Sequence, residues 1–229
     1  MWPVVAAWRV LPWMLEAPQV KLSADAIRDF EAVWASRDVS GLPSGMPCWL
    51  FLRWLENQDV LFHGSQGGGL DVLTPQVRDY RQPDDFSNRT GVYASSDGLW
   101  AMMYALRGPK VTGMIDMGLR LREGHGWSPM RYFISLSAAT PLTADGRALL
   151  APGTVYVVPR DSFEPSPPYR HPGLGDVQEA HWVHSGSVRP VMAIPVGPQD
   201  FPFPVRVHDA AKIRVRAAAD PWGFPWLDE

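Results

Sequence analysis

Proline is the strongest constraint on this chain: 23 of its 229 residues are proline, about twice the ordinary share of roughly 5%. Each one fixes its own φ, removes a main-chain donor and pushes the residue before it away from the helical region. The prolines cluster between apolar runs, where they end helices and stiffen loops. No uninterrupted apolar run approaches the ~20 residues of a membrane span. The apolar start, residues 1–18, is broken by Pro3, Arg9 and Pro12 and has no cationic beginning, which argues against a secretory leader and for a cytoplasmic location.

Between these breaks three segments carry helical spacing. Ser23-Ala24-Asp25-Ala26 reads as a capped start, and Ile27, Phe30, Val33 and Trp34 follow at helical intervals as far as Gly41. Beyond the break from Pro43 to Pro47, a second helix is expected from Cys48 to Asn57, burying Trp49, Leu52 and Leu55 or Trp54. A third runs from Asp97 to about Arg107, capped by Ser95 or Ser96, with Trp100, Ala101 and Tyr104 on one face. Strand-like runs follow at Val111–Met117, Tyr132–Ser137, Thr154–Val158, Ala180–His184, Val191–Val196 and Val205–Val207. Early helices followed by many strands predict an α+β fold with a split, largely antiparallel sheet and N-terminal helices packed beside it. Residues 1–57 are expected to form the helical extension and residues 58–229 the main domain. The 46% hydrophobic and 20% charged residues suit a folded domain with a sizeable core. With 21 basic and 24 acidic residues, the whole chain shows no strong nucleic-acid signature. Its one cysteine, Cys48, has no disulfide partner and no zinc-like spacing, and reads as a packed thiol in a reducing compartment.

Three stretches have a strand-like apolar run with a polar residue at its edge: Val60-Leu-Phe-His-Gly-Ser65, Thr90-Gly-Val-Tyr-Ala-Ser-Ser96 and Val177-Gln-Glu-Ala-His-Trp-Val183. Singly, His63 and Tyr93 are ordinary packing residues with satisfied polar tips. Together, His63, Tyr93 and Glu179, the last opening a late strand, are placed to meet at one cleft. The run Gly67-Gly68-Gly69 lacks both the P-loop and the dinucleotide fingerprint, so it is a flexible turn. Residues 78–89 and 163–176 are polar or proline-rich and aperiodic, hence loops.

In this order, His-Gly-Ser, Gly-x-Tyr and a strand-borne Glu resemble the histidine–tyrosine–glutamate class of ADP-ribosyltransferases. That class includes the poly(ADP-ribose) polymerase catalytic domain and its bacterial toxin relatives. The likeness covers residues 58 to 196 and extends to Tyr104, eleven positions after Tyr93, where the family carries a second tyrosine. It implies an ADP-ribosyltransferase-like domain using NAD as co-substrate, with no metal and no membrane partner. In that reading Tyr93 and Tyr104 stack nicotinamide, Gly64 allows close backbone approach and His63 bonds the adenosine ribose, with Ser65 assisting. Arg78, in the interval that holds the family's donor loop, is a candidate ligand contact because its guanidinium suits phosphate or ribose oxygens. Glu179 stabilises the oxocarbenium-like centre and orients a hydroxyl. Residues 163–176 lie where a loop could select the acceptor. The chain departs from the pattern at Ala94, at Ala101, where a serine contacting the nicotinamide carboxamide is common, and at Gln178-Glu179-Ala180. Mono-ADP-ribosylation of an unidentified macromolecular or small-molecule acceptor is the expected activity. An NAD glycohydrolase, an RNA 2′-phosphotransferase-like enzyme and a catalytically silent NAD-binding or ADP-ribose-binding module are the alternatives.

Overall fold

The computed structural model describes residues 11–77, 85–140 and 145–227. In chain order the elements are α1 (Ala24–Ser36), α2 (Cys48–Leu55), β1 (Val60–Ser65), β2 (Val92–Ser95), α3 (Gly98–Ala105), β3 (Val111–Glu123), β4 (Gly126–Trp127), β5 (Arg131–Ala138) and β6 (Gly153–Pro159). They continue with β7 (Glu164–Pro165), β8 (Tyr169–His171), β9 (Gly175–Glu179), β10 (His181–His184), β11 (Met192–Val196), β12 (Arg206–Val207) and α4 (Ala210–Ala219). The class is α+β, with two largely antiparallel sheets. One has the order β11-β6-β1-β2-β10-β7; the other has the order β12-β5-β3-β9-β8, with β4 paired to β3. The β12–β5 pair is parallel.

The helices start and stop for local reasons. In α1 the Ser23 hydroxyl accepts from Ala26 N at 3.1 Å, and Ala26, Phe30 and Val33 form the buried side. This helix ends at Ser36 rather than near Gly41, because Arg37 turns left-handed at φ 61° while its N–H caps Val33 O. Val39–Gly41 forms a separate 3-10 turn. Pro47 stands at the start of α2, which stops at Leu55, two residues short of Asn57, and buries Phe51 besides Trp49, Leu52 and Leu55. Asp97, not Ser95 or Ser96, caps α3, accepting from Trp100 N at 2.8 Å; Ser95 instead accepts from Asp97 N at 2.9 Å. Every residue of α3 but Tyr104 is buried, so it has an enclosed surface rather than one apolar face.

Two departures from the sequence reading lie near the C-terminus. The stretch 163–176 is not a plain loop: it contains β7, β8 and the first residues of β9. The helix α4 was not expected, because Lys212, Arg214 and Arg216 interrupt its apolar positions and Ile213 is its buried residue. Asp209 fixes its start by accepting from Ala211 N and Lys212 N.

The main core joins α1 and α2 to both sheets, through Phe30, Phe51, Leu52 and Leu55 beside Phe62, Met102, Val155 and Ile134. Helix α3 lies directly on β1 and β6. A Cβ at Gly64 would overlap the carbonyl of Ala101 and come within 2.8 Å of Ala105 N, and one at Gly153 would meet the carbonyl of Ala105. Glycine at both places is what lets the helix backbone approach the strands. Cys48 is packed as expected: its N–H donates to Asp200 Oδ1 at 3.0 Å, and burial pushes its thiol up to about 11. Among the described residues no helix is long and apolar enough to cross a membrane.

Two breaks in sheet pairing create the place where polar groups gather. Strands β1 and β2 are in register at Phe62↔Ser95, whereas β1 stays paired with β6 out to Ser65↔Thr154. The first sheet therefore opens between β1 and β2 at His63. The second break is a crossing. Glu179 closes β9 opposite Leu119 in one sheet, and His181 opens β10 opposite Ser95 in the other. Between them, Ala180 N donates to Gly118 O at 3.2 Å and Ala180 O accepts from Ser96 N at 3.0 Å, so one residue joins the two sheets.

Candidate active site

His63 stands at the opening of the first sheet. Its Nδ1 is 2.7 Å from Tyr93 O; a carbonyl only accepts, so Nδ1 carries the proton and Nε2 is the acceptor. Burial lowers its pKa, against the opposing effect of the Tyr93 carbonyl, and the ring is neutral at pH 7. Tyr93 is half-buried, and its hydroxyl lies 2.7 Å from Arg89 O and 3.0 Å from Phe86 O, which fixes the hydroxyl end of the ring. Ser65 ends β1, and its hydroxyl accepts from Gly67 N at 3.4 Å. At Gly64 the side without a Cβ faces α3, so the close approach that its glycine permits is to this helix. Arg78 lies outside the described residues.

Glu179 is the last residue of β9 rather than the first of a strand, because the chain changes sheets immediately after it. Its Oε1 accepts from the Tyr169 hydroxyl at 3.0 Å, and its Oε2 is 3.7 Å from His181 Nδ1. The His181 ring in turn lies 4.8 Å from that of Tyr93, inclined by 32°. Phe86 and Trp100 present edges to the same imidazole at 5.4 and 5.5 Å. Tyr104 joins through the helix. Its ring is 6.4 Å from that of Trp100, and both side chains reach one carboxylate: Trp100 Nε1 donates to Asp116 Oδ2 at 2.6 Å and the Tyr104 hydroxyl lies 3.3 Å from Oδ1.

Four of the sequence-predicted residues are thus connected, whereas Ser65 bonds back to its own turn and Gly64 faces α3. Tyr93 and Glu179 meet through His181, Tyr104 through Trp100, and His63 through the main chain of Tyr93. Sequence reasoning missed His181, Trp100 as a site residue, Asp116 and Tyr169. His181 had no signal, because the chain bends at Ala180 and strand alternation does not carry from one sheet into the other; Trp100 had one, standing four residues before Tyr104 on a helix. Asp116 and Tyr169 had none, since only strand pairing brings them here.

The arrangement combines tilted and edge-on aromatic rings, a carboxylate held at Oε1 and a neutral imidazole acceptor. That suits a flat, uncharged or cationic ring joined to a hydroxyl-rich group. Among the described residues no group of three His, Cys, Asp or Glu side chains could hold a metal ion. A cavity of about 470 Å³ lies elsewhere, lined by Arg206, His208, Lys212, Arg216 and their neighbours. No protein-family model, curated protein or solved structure matches the chain.

Proposed function

We propose that the protein is an NAD-dependent mono-ADP-ribosyltransferase, cleaving the nicotinamide–ribose bond and transferring ADP-ribose to an acceptor. The observation that carries this reading is the junction at the sheet crossing. There Tyr93 and Glu179, remote in sequence, come to the same imidazole. Nicotinamide would lie on the aromatic surface to which Tyr93 and Tyr104 belong, and His63 would accept from the adenosine ribose through Nε2. The C1′–N bond breaks with its electron pair leaving on nicotinamide, which therefore departs neutral. Positive charge develops at C1′ and its ring oxygen. The Glu179 carboxylate stabilises that charge and orients a ribose hydroxyl, with little reorganisation because Tyr169 already holds Oε1. The acceptor's lone pair then forms the new bond to C1′, and its proton is lost to solvent.

The test is Glu179→Gln, which keeps shape and most hydrogen bonds but removes the charge. Binding of NAD should change little, while nicotinamide release and acceptor labelling fall by about 10²–10³, or ~3–4 kcal/mol of barrier. Mass spectrometry of a lysate incubated with labelled NAD and the wild-type protein identifies the acceptor. Equal rates in the two proteins overturn the role of Glu179. Free ADP-ribose as the sole product indicates a glycohydrolase, and NAD binding without any cleavage indicates a silent binding module.

A further inference from the structure

We infer that His181 is a positioning residue of this site, with two separable tasks: its ring extends the aromatic surface that receives nicotinamide, and its Nδ1 sets the direction of the Glu179 carboxylate. This inference rests on the proposed transferase reading.

The ring task follows from the packing. Tyr93 meets the imidazole tilted, at 32° and 4.8 Å, while Phe86 and Trp100 meet it at 67° and 66°, edge-on. Three rings from three elements thus fix its plane, and only 12% of the side chain is exposed. Tyr93 and His181 are held at the same place from two neighbouring strands, so a flat ligand ring arriving at Tyr93 also meets the imidazole.

The nitrogen task follows from the carboxylate. Tyr169 donates to Oε1 at 3.0 Å, and Nδ1 stands 3.7 Å from Oε2. A closure of less than about 1 Å brings that nitrogen to the usual hydrogen-bond length. With the proton on Nδ1 and that nitrogen closed onto Oε2, the carboxylate would be held at both oxygens rather than at Oε1 alone. Each oxygen has two lone pairs, so a ribose hydroxyl can still be accepted. The main chain supports the geometry: Glu179 and His181 flank Ala180, whose N–H and C=O are bonded to Gly118 and Ser96 in the two sheets. A residue needed only to fill the aromatic box would require no nitrogen, and one needed only as a donor would require no box.

The two tasks predict crossed kinetics. His181→Phe keeps a ring and loses the nitrogen; His181→Asn keeps an N–H donor near the Nδ1 position and loses the ring. Steady-state nicotinamide release from labelled NAD should show the Phe variant with KM within about twofold of wild type and kcat lowered about tenfold to a hundredfold, the loss typical of a misplaced catalytic group. The Asn variant should keep kcat within about threefold and raise KM about tenfold or more. Circular dichroism and urea midpoints confirm folding of each. A Phe variant with wild-type kcat, or an Asn variant that loses kcat as fully as Phe does, overturns the inference while leaving the transferase reading intact. Wild-type protein that cleaves no NAD overturns both.

Discussion

Replacing Tyr132 by phenylalanine tests what anchors the helix that carries Trp100 and Tyr104. Tyr132 is fully buried on β5, and its hydroxyl donates to Asp97 Oδ2 at 2.5 Å. Burial and the neighbouring Asp97 push the phenol far above its ordinary pKa, so it remains a donor. Asp97 is also the cap of α3, accepting from Trp100 N at 2.8 Å, and lies 3.3 Å from Arg53 Nη1. Arg53 is 2.8 Å from Glu56, whose other oxygen accepts from Gly98 N at 2.9 Å. Two carboxylates, one guanidinium and one phenol thereby lock α2, α3 and β5 together. The Phe variant keeps the ring on Phe203, at 4.7 Å, and removes one oxygen. A hydrogen bond to a charged acceptor contributes about 1.5–3 kcal/mol, and its loss inside the protein leaves Asp97 under-solvated. The expected cost is therefore about 2–3 kcal/mol. With a urea m-value of about 2–3 kcal/mol/M for a chain of this size, the unfolding midpoint should fall by about 1 M. Tyr156→Phe is the control: that hydroxyl accepts from Leu70 N at 3.0 Å, a neutral bond of about 0.5–1.5 kcal/mol. If the two variants unfold at the same urea concentration, Asp97 does not act as a buried charge and the anchoring argument fails.

Glu56 gives the same cluster a pH signature. Burial and Asp97 raise it from an ordinary 4.5 to about 8, with Arg53 opposing. Its stabilising contribution is full below about 4.5, where both folded and unfolded chains hold the proton, and is lost as pH rises through about 8. Urea midpoints from pH 5 to 8.5 should therefore decline less steeply in Glu56→Gln than in wild type, and identical slopes would contradict this. Gly64→Ala should destabilise by about 3 kcal/mol or more, because the new Cβ would strike the backbone of α3 at Ala101 and Ala105 rather than a movable side chain; Gly67→Ala, with nothing within 4 Å, should be neutral or mildly stabilising in the same urea titration. Tyr93→Ala or Tyr104→Ala should each weaken NAD or nicotinamide binding by about 1–3 kcal/mol in calorimetry. Tyr104, 36% exposed, should be the less damaging to stability; unchanged affinity in both folded variants would remove the stacking role.

Much of the fold was legible because its signals are local. The cap at Ser23 and the spacing of Phe30 and Val33 defined the start and face of α1, and apolar runs bounded by glycine and proline located β1, β2, β5, β6 and β11. What stayed hidden depends on distant partners. Arg37 ends α1 in a left-handed conformation that arginine rarely adopts. Strands β8 and β9 look like loop because their pairing is supplied by each other and by β3, through Tyr169↔Val177 and Arg120↔Gln178. At the candidate site, His63, Tyr93, Tyr104 and Glu179 stood out as motif residues. The groups that hold them did not: Asp116 is a single carboxylate within the run Gly113–Leu119, and Tyr169 sits among prolines.

The crossing at Ala180 explains why a motif residue and its supports should be so unequally visible. Within one sheet, alternate residues share a face and a sequence pattern reports it. Where the chain leaves one sheet for another, the side chains on either side belong to different pairings, Glu179 to Leu119 and His181 to Ser95. Their approach is set by two sheets at once. Ala180 is itself buried and bonded on both sides through its main chain, so the Glu179–His181 spacing is a property of the sheet junction more than of either side chain. A group that must be held to within a fraction of an ångström is better placed there than on a free loop. A larger side chain at Ala180 would crowd the main core, and the strain would reach the carboxylate one residue away.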